Sequence, residues 1–385
     1  MIDKVKEACT GCNACYSVCP VDAIQMLPDE EGFLRPVIDY DRCTECNACE
    51  RVCPALVPCK VLQTTSPKVI AAWSKDEELR INSTSGGIFS ELAKKILQQG
   101  GFVFGARYRN DFTVEHVWID SIDDLRLLRQ SKYMQSDMGH IFREVKRLLK
   151  TDRPVLFCGS PCHAAGLLNF FKKAPENLIV CDYICRGTMS PMVFKGYLSD
   201  LEKEYDSGVK KIQFKNKDIG WNQFCTRIDF ENGEVYLKDR FADDYMRGYL
   251  RYNLYIRPSC YQCKFKGLPR VSDISLGDFW GISKTRPHLD ENKGTSIIML
   301  NTRKGIDFFE SCSNAFETEV CSINEAVSGN ACIHDNIPHP VARNYFFNHF
   351  KKHGFQKSIQ KYDRLIWSVH LFSRIKLKLK KVFKR

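Results

Sequence analysis

The chain has 385 residues, of which 44% are hydrophobic and 27% charged, and its formal net charge is +11. These proportions are ordinary for a soluble globular protein. Between Lys351 and Arg385 there are twelve Lys or Arg against one acid, so the positive charge belongs to a tail and we expect no nucleic-acid partner. The N-terminus lacks the apolar stretch of a signal peptide, and no segment is long enough to span a bilayer. We therefore expect a cytoplasmic protein.

Eight of the 19 cysteines form two copies of one spacing, Cys-x2-Cys-x2-Cys-x3-Cys-Pro. Bacterial ferredoxins hold two 4Fe-4S clusters with this spacing, and the fourth cysteine of each copy binds the cluster of the other copy. The alternative of zinc is weaker, because a zinc site usually takes two separated Cys-x2-Cys pairs. A disulfide framework also fits poorly in a reducing compartment. The predicted ligand sets are Cys9, Cys12, Cys15 and Cys53 for one cluster, and Cys19, Cys43, Cys46 and Cys49 for the second.

The predicted elements divide the chain into a small and a large part. The cluster-binding module occupies residues 1–58, and the polar segment 60–67 is expected to be a linker. From residue 68, strands at 69–73, 102–108, 114–119, 154–158 and 178–184 alternate with helices, which predicts an α/β core with parallel strands. After residue 210 the pattern becomes α+β, with strands at 213–214, 225–230, 234–237, 273–276 and 296–300 and a hairpin turn at Asn232-Gly233.

Four more cysteines are candidates for a third cluster. Cys162 and Cys185 each follow a predicted parallel strand, so both should emerge at the carboxyl edge of the sheet, where open α/β sheets bind ligands. Cys260 and Cys263 add a pair on a loop. Alternatively, Cys162 and Cys185 are core thiols, and Cys260 and Cys263 belong to a zinc knuckle. The spacing of the cysteines alone does not decide between a cluster and this alternative. The body's other cysteines are predicted to be buried small apolar residues: Cys158, Cys181, Cys225, Cys312, Cys321 and Cys332.

Two strand-to-helix turns are candidate anion-binding loops. In residues 83–87 (Ser-Thr-Ser-Gly-Gly), the glycines allow close approach, and free N–H groups at a helix start favour a phosphate. The alternative is an ordinary serine N-cap followed by glycine, and Gly159-Ser160-Pro161 allows the same two interpretations. The chain has neither a G-x-G-x-x-G fingerprint nor a Walker A loop, so any dinucleotide is bound in another manner.

The basic tail has apolar residues at helical spacing from Tyr362 onward. A basic amphipathic helix of this kind suits the anionic inner face of a membrane. The alternative is a helix that packs on the body and keeps its lysines in solvent.

Several stretches, taken together, resemble the coenzyme F420 hydrogenase/dehydrogenase beta-subunit family. They are Ser83–Ile88, Gly159–Cys162, Tyr183–Gly187, Phe214–Lys217 with Gly220-Trp221, Arg257–Cys263 and Ser272–Gly281. The resemblance divides the large part into an N-terminal-like region at 68–210, a C-terminal-like region at 211–335 and a basic tail at 336–385.

The resemblance implies an FAD-dependent oxidoreductase in which flavin sits between a hydride carrier and iron–sulfur clusters. It favours a third 4Fe-4S cluster on the four additional cysteines and flavin contact at Ser85, Gly86 and Gly87. The other candidate cofactor-binding residues are Gly159, Ser160 and Lys217. Chemistry also favours a flavin, because hydride carriers deliver two electrons at once whereas each cluster accepts one. The predicted fold is thus α+β / α/β: a ferredoxin-like domain with two 4Fe-4S clusters, a larger mixed α/β flavin-binding catalytic domain and a basic C-terminal helix.

We expect an oxidoreductase that passes electrons between ferredoxin, or a reduced deazaflavin such as coenzyme F420, and a substrate in surface-polysaccharide metabolism. The alternative is a non-catalytic subunit that relays electrons to a partner protein, and a zinc-stabilised adaptor is a third. No catalytic residue is assigned from the sequence. Peripheral contact of the tail with an anionic membrane surface is the expectation where the tail does not pack on the body.

Overall fold

The computed structural model describes residues 1–59 and 66–382, with side chains up to Ser368. Residues 1–59 form a small module, and the remainder builds a larger mixed α/β body, so the predicted fold class is confirmed. The predicted linker lies mostly outside the described residues, as do the tail's side chains beyond Ser368. No helix in the described ranges is long and apolar enough to cross a bilayer.

The module consists of two short cysteine-bearing helices and a β-hairpin. Its elements are the 3-10 helix Ile2–Ala8, helix α1 (Ala14–Val18), strands β1 (Ile24–Pro28) and β2 (Leu34–Ile38), and helix α2 (Ala48–Val52). Both α-helices begin after an asparagine in the left-handed region, Asn13 at φ 59° and Asn47 at φ 56°. Asparagine adopts this conformation more readily than most residues. Each cysteine run therefore bends around its own loop before the helix starts.

The described part of the body contains twelve strands and twelve α-helices. The strands are β3 (Lys68–Ser74), β4 (Phe102–Tyr108), β5 (Val114–Ile119), β6 (Ser136–Asp137), β7 (Val155–Gly159), β8 (Leu178–Tyr183), β9 (Val209–Asn216), β10 (Cys225–Phe230), β11 (Val235–Asp239), β12 (Ile274–Asp278), β13 (Ser296–Leu300) and β14 (Phe316–Cys321). The helices are α3 (Glu77–Ile81), α4 (Ile88–Gln98), α5 (Leu125–Leu128), α6 (Ile141–Leu149), α7 (Pro161–Phe171), α8 (Pro191–Glu204), α9 (Asp244–Leu250), α10 (Ile282–Thr285), α11 (Arg303–Glu310), α12 (Ile323–Gly329), α13 (Arg343–His353) and α14 (Phe355–Val382). Short 3-10 helices add Pro258–Gln262, Pro287–Leu289, Ser313–Ala315 and Ala331–Ile333.

Nine of the strands form one mixed sheet in the order β14-β3-β13-β12-β8-β7-β4-β5-β6. Its centre is parallel, because β4, β7, β8 and β12 run in the same direction. The expectation of parallel strands is wrong for the flanks, where β5 is antiparallel to β4 and β13, β3 and β14 alternate in direction. The loop between β4 and β5 is too short for the crossover that a parallel pair needs.

Strands β9, β10 and β11 form a separate antiparallel sheet, and the predicted turn at Asn232-Gly233 joins the last two. Strands β12 and β13 follow this small sheet in the chain but return to the main sheet. The two regions that the sequence separates at residue 210 therefore share one sheet.

Helices cover both faces of the main sheet. On one face, Val103 and Leu156 pack in one apolar cluster with Leu92 of α4. On the other face, Phe104 and Phe157 pack with residues of α6 and α7. These side chains are fully buried, so the strands hold the loops at their carboxyl ends on a rigid base.

The tail helix α14 begins at Phe355, seven residues before the predicted start. Its first two turns pack on the body through the buried side chains of Phe355, Ile359 and Tyr362. Trp367 is 68% exposed. The first part of the helix therefore matches the packed alternative.

Two of the contacts that hold the module on the body involve a guanidinium group and a small residue. Arg143 of α6 donates to the carbonyl oxygens of Ser17 and Cys19, at 2.6 Å each, and to Asp22 Oδ1 at 2.7 Å. Gly166 of α7 faces the module so closely that a Cβ there would lie 3.0 Å from Cys12 Sγ.

Replacing Arg143 by Ala should weaken docking of the module by about 1–3 kcal/mol, because charge-assisted hydrogen bonds are lost. Amide hydrogen exchange at residues 14–24 measures the effect as faster exchange. Arg147→Ala is the matched control, since Arg147 pairs only with Glu144 on its own helix in the described structure. Equal exchange in the two variants would show that Arg143 does not hold the module.

Candidate redox site

The thiols of Cys9, Cys12, Cys15 and Cys53 come together in the module. Those of Cys12, Cys15 and Cys53 are buried, and all four line a small cavity between the first helix and the N-terminal residues. Burial raises the pKa of Cys12 to about 12, and the neighbouring thiols of Cys53 and Cys9 act in the same direction. The structure thus brings Cys53, from the second copy of the run, to the three cysteines of the first.

The second predicted ligand set lies nearer to solvent. Cys46 is exposed, and Cys43 and Cys49 are half-buried. Cys19 is buried and its Sγ accepts the Ala23 N–H at 3.3 Å. The backbone N–H of Ala48 lowers the pKa of Cys46, as it would favour a bound thiolate.

The other four candidate cysteines also meet. Cys162 lies in the first turn of α7, Cys185 follows β8, and Cys260 and Cys263 lie in and after the 3-10 helix Pro258–Gln262. All four line one cavity of about 400 Å³. Burial raises the pKa of Cys185 to about 12, and the neighbouring thiols of Cys260 and Cys263 act in the same direction. The body therefore presents a four-thiol set at the carboxyl edge of the parallel strands, where the sequence predicted it.

Within residues 1–59 and 66–382 no group of three or more His, Cys, Asp or Glu is close enough to hold a single metal ion. A cubane takes one thiolate on each of its four irons, so its ligands are spread around the cluster.

A larger cavity of about 560 Å³ opens at the carboxyl ends of β7, β8 and β12. A cavity of this size and position is typical of a cofactor or substrate site. Its walls include Gly159, Asp182 and Asp278 from the strand ends, and the turn at residues 83–88. The same cavity reaches the second sheet at Lys215 of β9.

The turn at residues 83–88 is built as an open helix start. Gly87 is the N-cap of α4 at φ 84° and supplies no side chain. The alternative of an ordinary serine N-cap does not hold, because Ser85 Oγ donates to the Thr295 carbonyl oxygen at 2.9 Å instead. Ser83 Oγ is buried and has no hydrogen-bond partner among the residues that the structure describes. The N–H groups of Ser90 and Glu91 already donate to the Gly87 carbonyl oxygen. Among the described residues, the amides of Ile88 and Phe89 have no acceptor and are left for a ligand, as at other anion-binding helix starts.

The predicted cofactor-binding residues divide into two groups. Ser85, Gly87 and Gly159 line the larger cavity. Gly86, Ser160 and Lys217 stand behind it. The hydroxyl of Ser160 lies 3.1 Å from Cys162 Sγ.

Lys217 supports the turn from outside the cavity. Its Nζ donates to the carbonyl oxygens of Arg80, Ser85 and Lys293 at 2.7, 2.6 and 2.8 Å. Burial lowers the pKa of Lys217 to about 7. The ammonium therefore ties three backbone segments together instead of facing a ligand.

The cavity has an excess of cations that sequence analysis missed. Five cationic side chains line it: Arg129, Lys132, Arg186, Lys215 and Arg240. Of its acids, Asp182 pairs with Arg270 at 3.0 Å, and Asp278 pairs with Lys215 and accepts from Trp221 Nε1 at 3.0 Å. Lys215 and Trp280 fall within the family-like stretches, but nothing in the pattern around Arg129, Lys132 or Arg240 singles them out.

Several buried polar atoms in the cavity wall lack a partner among the described residues. They are Ser83 Oγ, Arg129 Nε, Gln135 Nε2, His163 Nδ1, Asp182 Oδ2 and Arg186 Nε. Leaving such groups unpaired is costly. Together with the cations, the unpaired donors among them fit a polar, anionic ligand, whereas the Asp182 oxygen needs a donor.

Two of the predicted buried cysteines belong to this wall instead of the core. Cys158 and Cys332 are half-buried and line the larger cavity. Cys158 lies at the end of β7 and Cys332 in the 3-10 helix Ala331–Ile333, both next to the opening. Position at the cavity edge, not residue type, decides their exposure.

The cavities adjoin one another. Thr10 lines the small cavity of the module, the four-thiol cavity and the larger cavity. Cys185 lines both of the latter. The three sites therefore form a continuous series.

Arg257 joins the module to this series. It is fully buried, and it donates to the carbonyl oxygens of Cys9 at 2.7 Å and Leu34 at 2.9 Å. It also reaches Gln135 Oε1 at 3.1 Å and Cys9 Sγ at 3.5 Å. A buried cation thus lies against a predicted cluster ligand.

The cysteine runs, the fold and the adjoining cavities define an iron–sulfur electron-transfer protein. Comparison with known families gives the same class. Residues 8–57 match the 4Fe-4S dicluster domain, residues 69–143 match the coenzyme F420 hydrogenase/dehydrogenase beta subunit N-terminal model, and residues 152–326 match the C-terminal model of the same subunit. The chain belongs to the coenzyme F420 hydrogenase/dehydrogenase beta subunit family, whose members are oxidoreductase subunits.

One solved structure is similar to the chain over much of its length. It is the xenon-derivatised F420-reducing nickel–iron hydrogenase complex from Methanosarcina barkeri, with 17% identity and a TM-score of 0.48, covering 70% of this chain and 91% of that one. No curated protein sequence matches the chain significantly.

Replacing Gly86 by Ala should destabilise the 83–88 turn, because the added Cβ would lie 2.4 Å from the Ala72 carbonyl oxygen. Overpacking of this kind costs about 1–3 kcal/mol. Thermal melting and hydrogen exchange at residues 83–90 measure the loss. Gly208→Ala is the control, since its Cβ would meet only Glu231 Cγ at 3.8 Å; equal melting of both variants would contradict the role of Gly86.

Proposed function

We propose that the protein is an FAD- and iron–sulfur-dependent oxidoreductase that passes electrons between a ferredoxin or deazaflavin-type carrier and an organic substrate. The observation that supports it best is that the larger cavity and the four-thiol cavity share Cys185. A cofactor in the larger cavity would thus lie next to a cluster in the four-thiol cavity. In this proposal the four-thiol set holds a third 4Fe-4S cluster.

The cavity residues fit FAD. The open amides at the start of α4, with Arg129 and Lys132 on the adjoining segment, whose Ser131 Oγ lies 3.3 Å from Thr84 Oγ1, would hold the pyrophosphate. Tyr183 and Tyr249 would flank the ring, since both line the larger cavity together with Cys185. Bound flavin exchanges electrons in pairs with a hydride carrier and singly with clusters.

The remaining wall would hold the substrate. Trp280 stacks on Trp221 with ring centroids 4.7 Å apart, and the Arg240 guanidinium lies 5.5 Å from the Trp280 ring centroid. The Lys215 ammonium stands 5.3 Å from the same ring. A planar or anionic substrate would find both an aromatic face and cations here.

The role in surface-polysaccharide metabolism and the cytoplasmic location belong to the same proposal. The tail supports contact with an anionic membrane surface, because it carries twelve Lys or Arg against one acid between Lys351 and Arg385. Such contact would bring the cavity near a lipid-linked substrate.

The iron and flavin content of anaerobically purified protein tests the proposal. We expect about twelve irons and one FAD per chain, from four irons in each of three clusters. Cys162→Ser with Cys260→Ser should leave about eight irons, whereas the control Cys312→Ser, at a buried thiol packed against α11, should keep all twelve. Eight irons in the wild type would remove the third cluster, and clusters without flavin would favour the relay subunit.

FAD affinity should depend on pH through Lys132. Burial lowers the pKa of Lys132 to about 7, so this side chain is neutral above that pH and cationic below it. Its attraction for the flavin pyrophosphate is thus present at pH 6 and lost as the pH rises to 8. Titration of the flavin-free chain with FAD should show tighter binding at pH 6, and Lys132→Met should flatten the profile. An unchanged profile in that variant would assign the dependence to another group.

A further inference from the structure

We propose that the solvent-facing side of the module docks a one-electron carrier protein that presents a basic surface. This inference rests on the proposed function, because it gives the cluster series an external partner. We call the surface the outer face. It consists of Asp3, Asp39, Tyr40, Asp41, Glu45 and Glu50 around Cys43, Cys46 and Cys49.

The burial of the two ligand sets is the first observation. Cys12, Cys15 and Cys53 are buried, and Gly166 of the body covers Cys12. In contrast, Cys46 is exposed. One end of the cluster series therefore points into the body, and the other meets solvent at the outer face.

The charge of the module is the second observation. Residues 1–59 contain ten Asp and Glu against five Lys and Arg, in a chain whose net charge is +11. A cubane with four thiolates adds further negative charge. The module is therefore strongly acidic, whereas the rest of the chain is basic.

The acids that face the body are already paired. Asp22 pairs with Arg143 at 2.7 Å, Glu30 with Lys351 at 3.2 Å, and Glu31 with Arg343. By contrast, within the residues that the structure describes, no Lys or Arg of the body lies in salt-bridge distance of the outer-face acids. Asp3 and Glu50 pair with the module's own N-terminal ammonium at 3.8 and 2.7 Å, whereas Asp39, Asp41 and Glu45 form no salt bridge with any residue that the structure describes.

Tyr40 is an exposed aromatic side chain on the outer face, of the kind that protein–protein interfaces bury. Its side chain is 57% exposed, and its hydroxyl donates to Asp3 Oδ2 at 3.1 Å. Its phenol group interacts with Cys43 and Glu45, beside the ligands. An exposed tyrosine beside acids such as Asp3 and Glu45 is typical of a surface that an Arg- or Lys-bearing partner buries.

The charge of the outer face determines the charge that a partner's docking surface must carry. Opposite charges accelerate encounter and like charges oppose it, and salt screens both effects. An acidic carrier would be repelled at this surface. The partner is therefore a redox protein whose basic side surrounds its own electron-transfer centre.

The basic haem protein mitochondrial cytochrome c is a suitable probe. The holoprotein is reduced with dithionite, desalted anaerobically and mixed with ferricytochrome c in a stopped-flow instrument at several salt concentrations. Each encounter moves one electron from the reduced module to the ferric haem, which becomes ferrous; no bond or proton is transferred. The second-order rate constant should fall steeply as salt rises.

Matched variants locate the effect. Asp41→Asn with Glu45→Gln should lower the low-salt rate constant by about 3- to 10-fold. Glu310→Gln with Glu317→Gln removes the same charge from exposed positions on the body and should change it little. The Kd between the fully oxidised proteins, in which no electron moves, should weaken in the same pattern.

Equal slowing in both double variants, or a rate independent of salt, would overturn the proposal. A dimer of the full chain that dissociates in the Asp41/Glu45 variant would assign the outer face to the basic tail of a second copy and also overturn it. Iron and flavin are counted before each run. A chain with its clusters but no flavin would refute the proposed function while leaving the cytochrome data as a test of docking.

Discussion

The architecture depends on one buried cation, the guanidinium of Arg257. Its four acceptors come from three segments: Cys9 and Leu34 of the module and Gln135 of the larger cavity's wall. Burying a charge is expensive unless something compensates it. No carboxylate pairs with Arg257 among the described residues, so an anionic cluster on Cys9 is the natural counter-charge. The cluster and the guanidinium would then stabilise each other. The module would therefore bind the body most tightly when it holds its iron–sulfur cluster.

The short-range patterns predicted the elements well. The strands 102–108 and 114–119 occur with the predicted bounds, and the double cysteine run identified the module, because ligand spacing is a local property. The sequence also placed Cys162 and Cys185 after parallel strands, and the structure brings them to one cavity with Cys260 and Cys263. That success follows from topology, since parallel strands end at the same edge.

Properties that depend on distant segments were not predictable. The return of β12 and β13 into the main sheet is invisible to local periodicity. The cavity cations Lys132 and Arg240 sit in stretches without a recognisable motif, and only the fold makes them neighbours. Lys217 illustrates the converse, since its position in a family-like stretch suggested a ligand contact, yet its ammonium binds three carbonyl oxygens behind the turn.

The tight approach of Gly166 to Cys12 has a consequence for biogenesis. A thiol covered by a neighbouring helix is out of reach of an iron–sulfur scaffold or carrier protein. Maturation would therefore have to proceed while the N-terminal segment is still detached from α7. The cluster on Cys9, Cys12, Cys15 and Cys53 would then be inserted early in folding, before the module docks on α7. Docking would afterwards shield this cluster from release.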